Sequence, residues 1–341
     1  MRCRQCRLVY VSPRPRTRAP IDALYTDTTY SSRQVSAAAN TSRMREAAWR
    51  LDRVERHVPR RGQLLDVGCS AGSFLIAARG RGWGVRGIDV SPAAVDYAHH
   101  SHGLDVSVAT LEDSRFAGHT FDVVTIFECI EHMLDPRAAL NAAADLLRDG
   151  GLLVITTPNV DGFVPRVTYW TLGRTLGAWE HPTPPHHLYQ FSRRTLAVLL
   201  HDAGFEIASI ETRPMGLRYT VRQMESAIVE ALLRRYRRTA PAFATRGPSA
   251  AERRSERCRT AKPVARSRRL ARKLVAGVCW VLTLALYAVP VRALGAGDAM
   301  LVVARKRRNP SGTNHRDAGE ACEFREEHHR VSRSRSSRAS R

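Results

Sequence analysis

The sequence offers no disulfide framework: its seven cysteines in 341 residues include one close pair, Cys3-x-x-Cys6, and the rest are scattered. That pattern excludes a stapled secreted scaffold and fits a reducing compartment, so a cytoplasmic protein is expected. The arginine-rich start, MRCRQCRLVYVSPRPR, has no apolar run behind it and does not read as a secretory signal. The apolar run 274–291, LVAGVCWVLTLALYAVPV, has 18 uncharged positions with Pro290 near its end. It falls short of the roughly 20 apolar residues that a spanning helix needs. Internal repeats are absent. The glycine turn at 68–72 offers G-x-x-x-G instead of the G-x-G-x-x-G fingerprint of dinucleotide-binding folds, and no aromatic-rich module of the kind that stacks on RNA bases is recognisable.

Acidic residues are scarce in one region only. The formal charge of +22 is divided very unevenly: residues 1–213 carry 25 Lys and Arg against 22 Asp and Glu, whereas 214–341 carry 29 against 10. The first part is close to neutral. The basic excess therefore points to an anionic surface met by the C-terminal third, not to an anionic substrate in a central site.

What the sequence does contain is an alternating pattern. Residues 41–58 space Met44, Ala48, Leu51 and Val54 at helical intervals. From Leu64 onward, short apolar runs alternate with helical stretches: LLDV, then GSFLIAARG; VRGIDV, then SPAAVDYAHH; FDVVTIF, then DPRAALNAAADLLRDGG; LLVITT. Such alternation predicts βαβ units in a doubly wound parallel sheet, with ligands at the carboxyl ends of the strands. SRRTLAVLLHDAGF reads as a helix ending at Gly204, EIASIET as a strand, and AMLVVAR (299–305) as a last strand after a long insertion. Nothing in the first sixty residues reads as a strand. A basic helix is expected over 219–238 and a linker over 239–263, and the Arg/Ser-rich end has the composition of a disordered tail.

The stretch LLDVGCSAGSF (64–74) admits two readings. Gly68-Cys69-Ser70-Ala71-Gly72 fits G-x-S-x-G, which places a nucleophilic serine on a strand-to-helix turn. Such an elbow normally follows several strands, however, and here it would follow the first. The alternative is a glycine turn that brings a small ligand against the backbone beside a helix N-terminus. Asp66 closes the strand, Gly68 and Gly72 permit the turn, and the next strand ends in Asp89, where a carboxylate can accept hydrogen bonds from ribose hydroxyls.

Taken with GIDVSP, FDVVTIFECIEHMLDP, LLRDGGLLVITTPN and PHHLYQFSRRTL, this stretch resembles the class I S-adenosylmethionine (SAM)-dependent methyltransferases from about Leu64 to Phe205, and again at GDAMLVVARK. The resemblance implies a seven-stranded Rossmann-like α/β sheet whose last strand is antiparallel. It implies that Asp66, Gly68, Cys69, Ser70 and Gly72 line the methionine end of SAM, that Asp89 binds the ribose, and that Val90 and Leu111 flank adenine. The expected organisation is a lead (1–40), a methyltransferase core (41–213), a basic and apolar helical insertion (214–298), the last core strand (299–305) and a tail (306–341).

The segment ECIEH sets Glu128, Glu131 and His132 at i, i+3 and i+4, on one side of a helix if one begins there. His187 follows on a loop that can reach the same edge, with His186 the weaker of that pair. Two carboxylates and one or two imidazoles can hold a divalent cation, and a carboxylate-rich shell favours Mg²⁺ or Mn²⁺. Without metal, His132 could act as a general base beside Glu131 and Glu128. The pattern is similar to that of ubiquinone-biosynthesis O-methyltransferases. It is also similar to small-RNA 2′-O-methyltransferases, except that Gln190 stands where those carry an acid. Cys3-x-x-Cys6 resembles half of a zinc ribbon, and a closed zinc site needs four ligands.

The expectation is thus a SAM-dependent O-methyltransferase acting on a small-molecule, glycan or lipid-linked acceptor. Alternatives are an RNA ribose 2′-O-methyltransferase and an inactive SAM-binding scaffold at the membrane. Basic residues flank the apolar run on both sides, so peripheral contact with the inner face of the membrane through 264–294 is expected instead of a span.

Overall fold

A computed structural model of the chain describes residues 1–15, 17, 19–26, 41–112, 120–174, 186–214, 277 and 296–308. The expected helix 219–238, the linker 239–263, the apolar run 274–291 apart from Gly277, and the tail beyond residue 308 lie outside the described residues.

Seven strands form the main sheet: β2 (Gln63–Val67), β3 (Gly84–Asp89), β4 (Val106–Val108), β5 (Phe121–Phe127), β6 (Leu147–Pro158), β8 (Phe205–Arg213) and β9 (Ala299–Lys306). Their spatial order is β4-β3-β2-β5-β6-β9-β8. Neighbours from β4 to β6 run parallel, while β9 lies antiparallel to both β6 and β8, as expected for the last strand. The central strands are buried on both faces, which is why FDVVTIF and LLVITT read as continuous apolar runs and not as alternating ones. Crossovers from β2 go one way to β3 and from β4 return to β5, so the switch point lies between the carboxyl ends of β2 and β5.

The helices carry local start signals. Ser91 caps α4 (Pro92–His102) by accepting from the Ala94 amide at 3.4 Å, and Asp135 caps α5 (Pro136–Leu146) by accepting from the Arg137 and Ala138 amides, each at 3.0 Å. Ser192 and Thr195 form a reciprocal capping box on α6 (Arg193–Asp202). The upstream helix α2 (Thr41–Glu55) buries Ala47, Leu51 and Val54, and α3 (Ser73–Gly80) buries Phe74, Leu75 and Ala78 against the same face. α2 is tied to β8 by Arg53–Glu211 at 3.1 Å and by the Arg213–Glu46 pair.

Three boundaries differ from the sequence expectation. The helix over 136–151 stops at Leu146, and β6 already begins at Leu147, because Leu147 pairs with Phe121 and Gly150 (φ 74°) turns the chain back into register. Lys306, expected in the tail, pairs with Phe205 and belongs to β9. The lead does contain a strand: β1 (Val9–Tyr10) pairs antiparallel with β7 (Tyr189–Gln190). At two residues, β1 is too short to show a periodicity, and it exists because β7 supplies its partner. Behind it, Leu8 and Ile21 of α1 (Ala19–Thr26) are buried in the main core cluster.

The long insertion has its two ends together. Arg213 and Pro158 both register with Ala299, and Asp298 accepts from the Asn159 amide through its carbonyl at 2.7 Å and from the Val164 amide through Oδ1 at 3.0 Å. The chain therefore leaves and re-enters at the carboxyl end of β6. Among the described residues no helix is long and apolar enough to cross a membrane.

Candidate active site

At the end of β2, positive φ angles at Gly68 (74°), Ser70 (50°) and Gly72 (82°) coil the chain into a tight loop. The amides of Gly68 and Cys69 both donate to the Ile88 carbonyl, at 2.8 and 3.0 Å, which fastens the loop to β3. Gly72 needs its missing side chain as well as its φ, since a Cβ there would meet Leu104 Cδ1 at 2.3 Å. Asp89 organises the far wall: Oδ2 accepts from the Ser70 amide and Oδ1 from the Ser91 amide, both at 2.8 Å. Burial holds the Asp89 carboxyl above its ordinary range, partly offset by the amides of Ser91, Ser70 and Val90. With about four lone-pair sites on its two oxygens and three amides around it, the carboxylate keeps room for a hydroxyl donor.

Asp66 lies 3% exposed beneath the loop and accepts from Thr125 Oγ1 at 2.7 Å. Burial pushes its carboxyl up to about 7, against the Thr125 hydrogen bond and the Arg50 charge, with Asp89 adding to the rise. Cys69 contributes backbone: its side chain is buried against Gly87, where a Cβ would come within 2.8 Å of Sγ. Val90 is half-buried at the β3 end, and Leu111 is buried in the main core.

The second half of the site forms beyond β5. The expected common helical side for Glu128, Glu131 and His132 is not what forms. Glu128 takes φ 50° and gives its amide to the Thr156 carbonyl at 2.8 Å, and only Ile130–His132 continue, as a single 3-10 turn. Glu128 is thereby turned away and lies 3.9 Å from Arg50. In its place His187 arrives, because the Leu188 amide donates to the Glu131 carbonyl at 2.8 Å and fixes the His186–His187 loop over the turn. Glu131, His132 and His187 offer ligand atoms within 4.8 Å of one another, and among the described residues they are the one such group of three.

Glu131 is 1% exposed. Its Oε2 accepts from Thr157 Oγ1 at 3.0 Å, and its Oε1 has no hydrogen-bond partner among the described residues, lying 3.8 Å from His132 Nε2. Burial, and then the Glu128 charge, raise the Glu131 carboxyl well above its ordinary range. His132 Nδ1 lies 2.7 Å from the His186 carbonyl and 2.8 Å from Tyr25 Oη. Burial lowers the imidazole pKa, against the opposing pull of the His186 and Glu128 carbonyls, so the ring is neutral near pH 7.

Two residues of the site had not been singled out. Arg50, on α2, stacks over the Phe127 ring at 4.6 Å, donates to Glu46 Oε1 at 3.0 Å, and is the cation whose charge reaches Asp66 and Glu131. Its sequence signal was only a Glu46–Arg50 pair at helical spacing, which a solvated helix face also shows. Tyr25 sits in a segment with no readable pattern.

Residues 39–210 match the model of a family described as a methyltransferase domain. The chain is 32% identical over 181 residues to a protein named ubiquinone biosynthesis O-methyltransferase from Xylella fastidiosa, covering 50% of this chain and 70% of that one. It is 38% identical over 102 residues to the protein of the same name from Cereibacter sphaeroides, covering 28% of this chain and 41% of that one, so it spans well under two thirds of the latter's length. A crystal structure of a putative sarcosine dimethylglycine methyltransferase from Galdieria sulphuraria is similar with a TM-score of 0.46 and 14% identity, over 77% of this chain and 86% of that one. With the switch-point loop, the acid at the end of β3 and the antiparallel β9 in place, the family match over half the chain gives the identity: the chain belongs to the class I SAM-dependent methyltransferases.

Proposed function

We propose that this methyltransferase transfers the methyl group of SAM to a hydroxyl oxygen of a small-molecule, glycan or lipid-linked acceptor, and that Glu131, His132 and His187 hold a divalent cation beside that acceptor. The observation that carries the reading is the orphaned Oε1 of the buried Glu131, which faces His132 Nε2 with His187 alongside. An unpartnered carboxylate oxygen in the interior is costly and calls for a partner.

The donor set fits a metal, though not the one expected from two carboxylates. With Glu128 withdrawn, two imidazoles and one carboxylate remain, a set that suits Mn²⁺ or Zn²⁺ better than Mg²⁺. When bound, the cation would lower the pKa of an acceptor hydroxyl and orient it. Arg50 offers positive charge toward the carboxylate of the methionine moiety, and Asp89 its lone pairs to the ribose. SAM supplies an electrophilic methyl group and the protein supplies alignment and proton handling. Nε2 of His132 is the ring's one free lone pair, so it would serve as a ligand when the cation is bound and as the base that takes the acceptor's proton only in a metal-free site.

The test is Mn²⁺ titration of chelator-stripped protein by electron paramagnetic resonance, beside an acceptor screen with methyl-labelled SAM. Stoichiometric Mn²⁺ binding that is lost in Glu131→Ala supports the cation. Full transfer activity after exhaustive chelation would remove the cation and leave His132 as the base.

A further inference from the structure

Tyr25 comes from far upstream, 107 positions before His132, yet its hydroxyl lies 2.8 Å from the imidazole Nδ1. The same nitrogen faces the His186 carbonyl at 2.7 Å. A carbonyl oxygen can only accept, so a nitrogen at that distance must carry the proton. Nδ1 therefore donates, with the carbonyl and the phenol oxygen as its two acceptors. The consequence for the neutral ring is that Nε2 is the bare nitrogen, and Nε2 is the atom 3.8 Å from Glu131 Oε1.

Tyr25 also constrains the ring planes. It meets His132 edge to face at 5.6 Å and 72°, and His186 at 6.4 Å and 70°. Its own position is built in from both directions. Ile21, one turn earlier on α1, is buried in the main core. The preceding segment is hydrogen-bonded to the histidine loop: Val11 donates its amide to the Leu188 carbonyl at 2.9 Å, β1 pairs with β7, and Arg14 bonds Tyr189, whose hydroxyl donates to the Leu134 carbonyl at 3.0 Å. The lead and the acceptor-side loop are thus one packed unit.

We propose that Tyr25 is a positioning residue of the acceptor site: the His186 carbonyl keeps the proton on Nδ1, and Tyr25 holds the ring so that Nε2 stays aimed at Glu131 and His187, which makes the N-terminal segment part of the active centre. The purpose of that geometry rests on the function proposed above, but the geometry can be read without an acceptor or a metal. The partner of an imidazole's second nitrogen fixes its tautomer and orientation, and its loss typically lowers metal affinity or activity by about 10- to 100-fold.

The experiment uses the full chain labelled with ¹⁵N-histidine, with His132 assigned by its disappearance in His132→Ala. Wild type should show a protonated Nδ1 and a bare Nε2. In Tyr25→Phe, which keeps the ring and removes only the hydroxyl, the Nδ1 shift should move because one of its two acceptors is gone, while Nε2 stays bare and SAM affinity is unchanged, and Mn²⁺ should bind about tenfold more weakly or worse. A Tyr25→Phe spectrum identical to wild type at His132 overturns the proposal, and so does a variant that loses SAM affinity, which would make Tyr25 a folding residue. If wild type binds no Mn²⁺, the metal reading fails, and the His132 shifts alone decide the role of Tyr25.

Discussion

The two halves of the cleft are assembled by opposite means. The proposed cofactor half comes from one stretch, Asp66 to Ser91, and works largely through backbone: loop amides fastened to β3, glycines at positive φ, and one carboxylate whose orientation two amides set. The proposed acceptor half draws Tyr25, Glu131, His132 and His187 from three separate segments and works through side chains, Glu131 buried and the others partly so. Local construction makes the first half a motif. Long-range construction makes the second half a site that only the fold assembles.

If the halves are separable, damage to one should leave the other intact. The largest effect is expected from His132→Ala and Glu131→Ala. Each should lower methyl transfer by about 10²- to 10⁴-fold, the range for a lost acid–base group, with any acceptor found in the labelled-SAM screen. Asp89→Ala should cost about 2 kcal/mol of SAM binding, or roughly 30-fold in Kd by calorimetry, because hydrogen bonds to a charged group are lost and the amides of Ser70 and Ser91 go unpaired. Transfer at saturating SAM should then recover most of its rate.

Smaller effects test the loop itself. Gly68→Ala puts a Cβ 2.8 Å from Cys129 Sγ at φ 74°, and should lower stability by about 1–3 kcal/mol in denaturant unfolding. Asp66 gives the most graded signal. Its carboxyl titrates near 7 when folded against 3.8 ordinarily, so between those values the folded state binds more protons than the unfolded. Stability should therefore fall as pH rises from about 4 to 7, with this group contributing at most about 1.4 kcal/mol per pH unit. Asp66→Asn should flatten that slope. An unchanged slope would mean that Asp66 is ionised in the fold.

What could be read in advance follows the same division. Strand alternation, the loop and Asp89 rest on contacts within some thirty residues, and each was legible. The sequence also placed Glu131, His132 and His187 as candidates, because residue type alone marks them. It set Glu128 beside them on the condition that a helix begins there, and the chain instead makes a single 3-10 turn after a left-handed residue, which leaves Glu128 outside the close group of three. Tyr25 and Arg50 were invisible for a different reason. An isolated tyrosine and an i,i+4 ion pair look ordinary until β1 pairs with β7 and α2 packs on the sheet.

The most direct test of this division is calorimetric titration of SAM into His132→Ala protein alongside wild type. The expected result is a Kd within about twofold of wild type while labelled methyl transfer falls at least about a hundredfold. A SAM affinity that falls in step with transfer would contradict the separation of the two halves and would place His132 in the cofactor's own binding site.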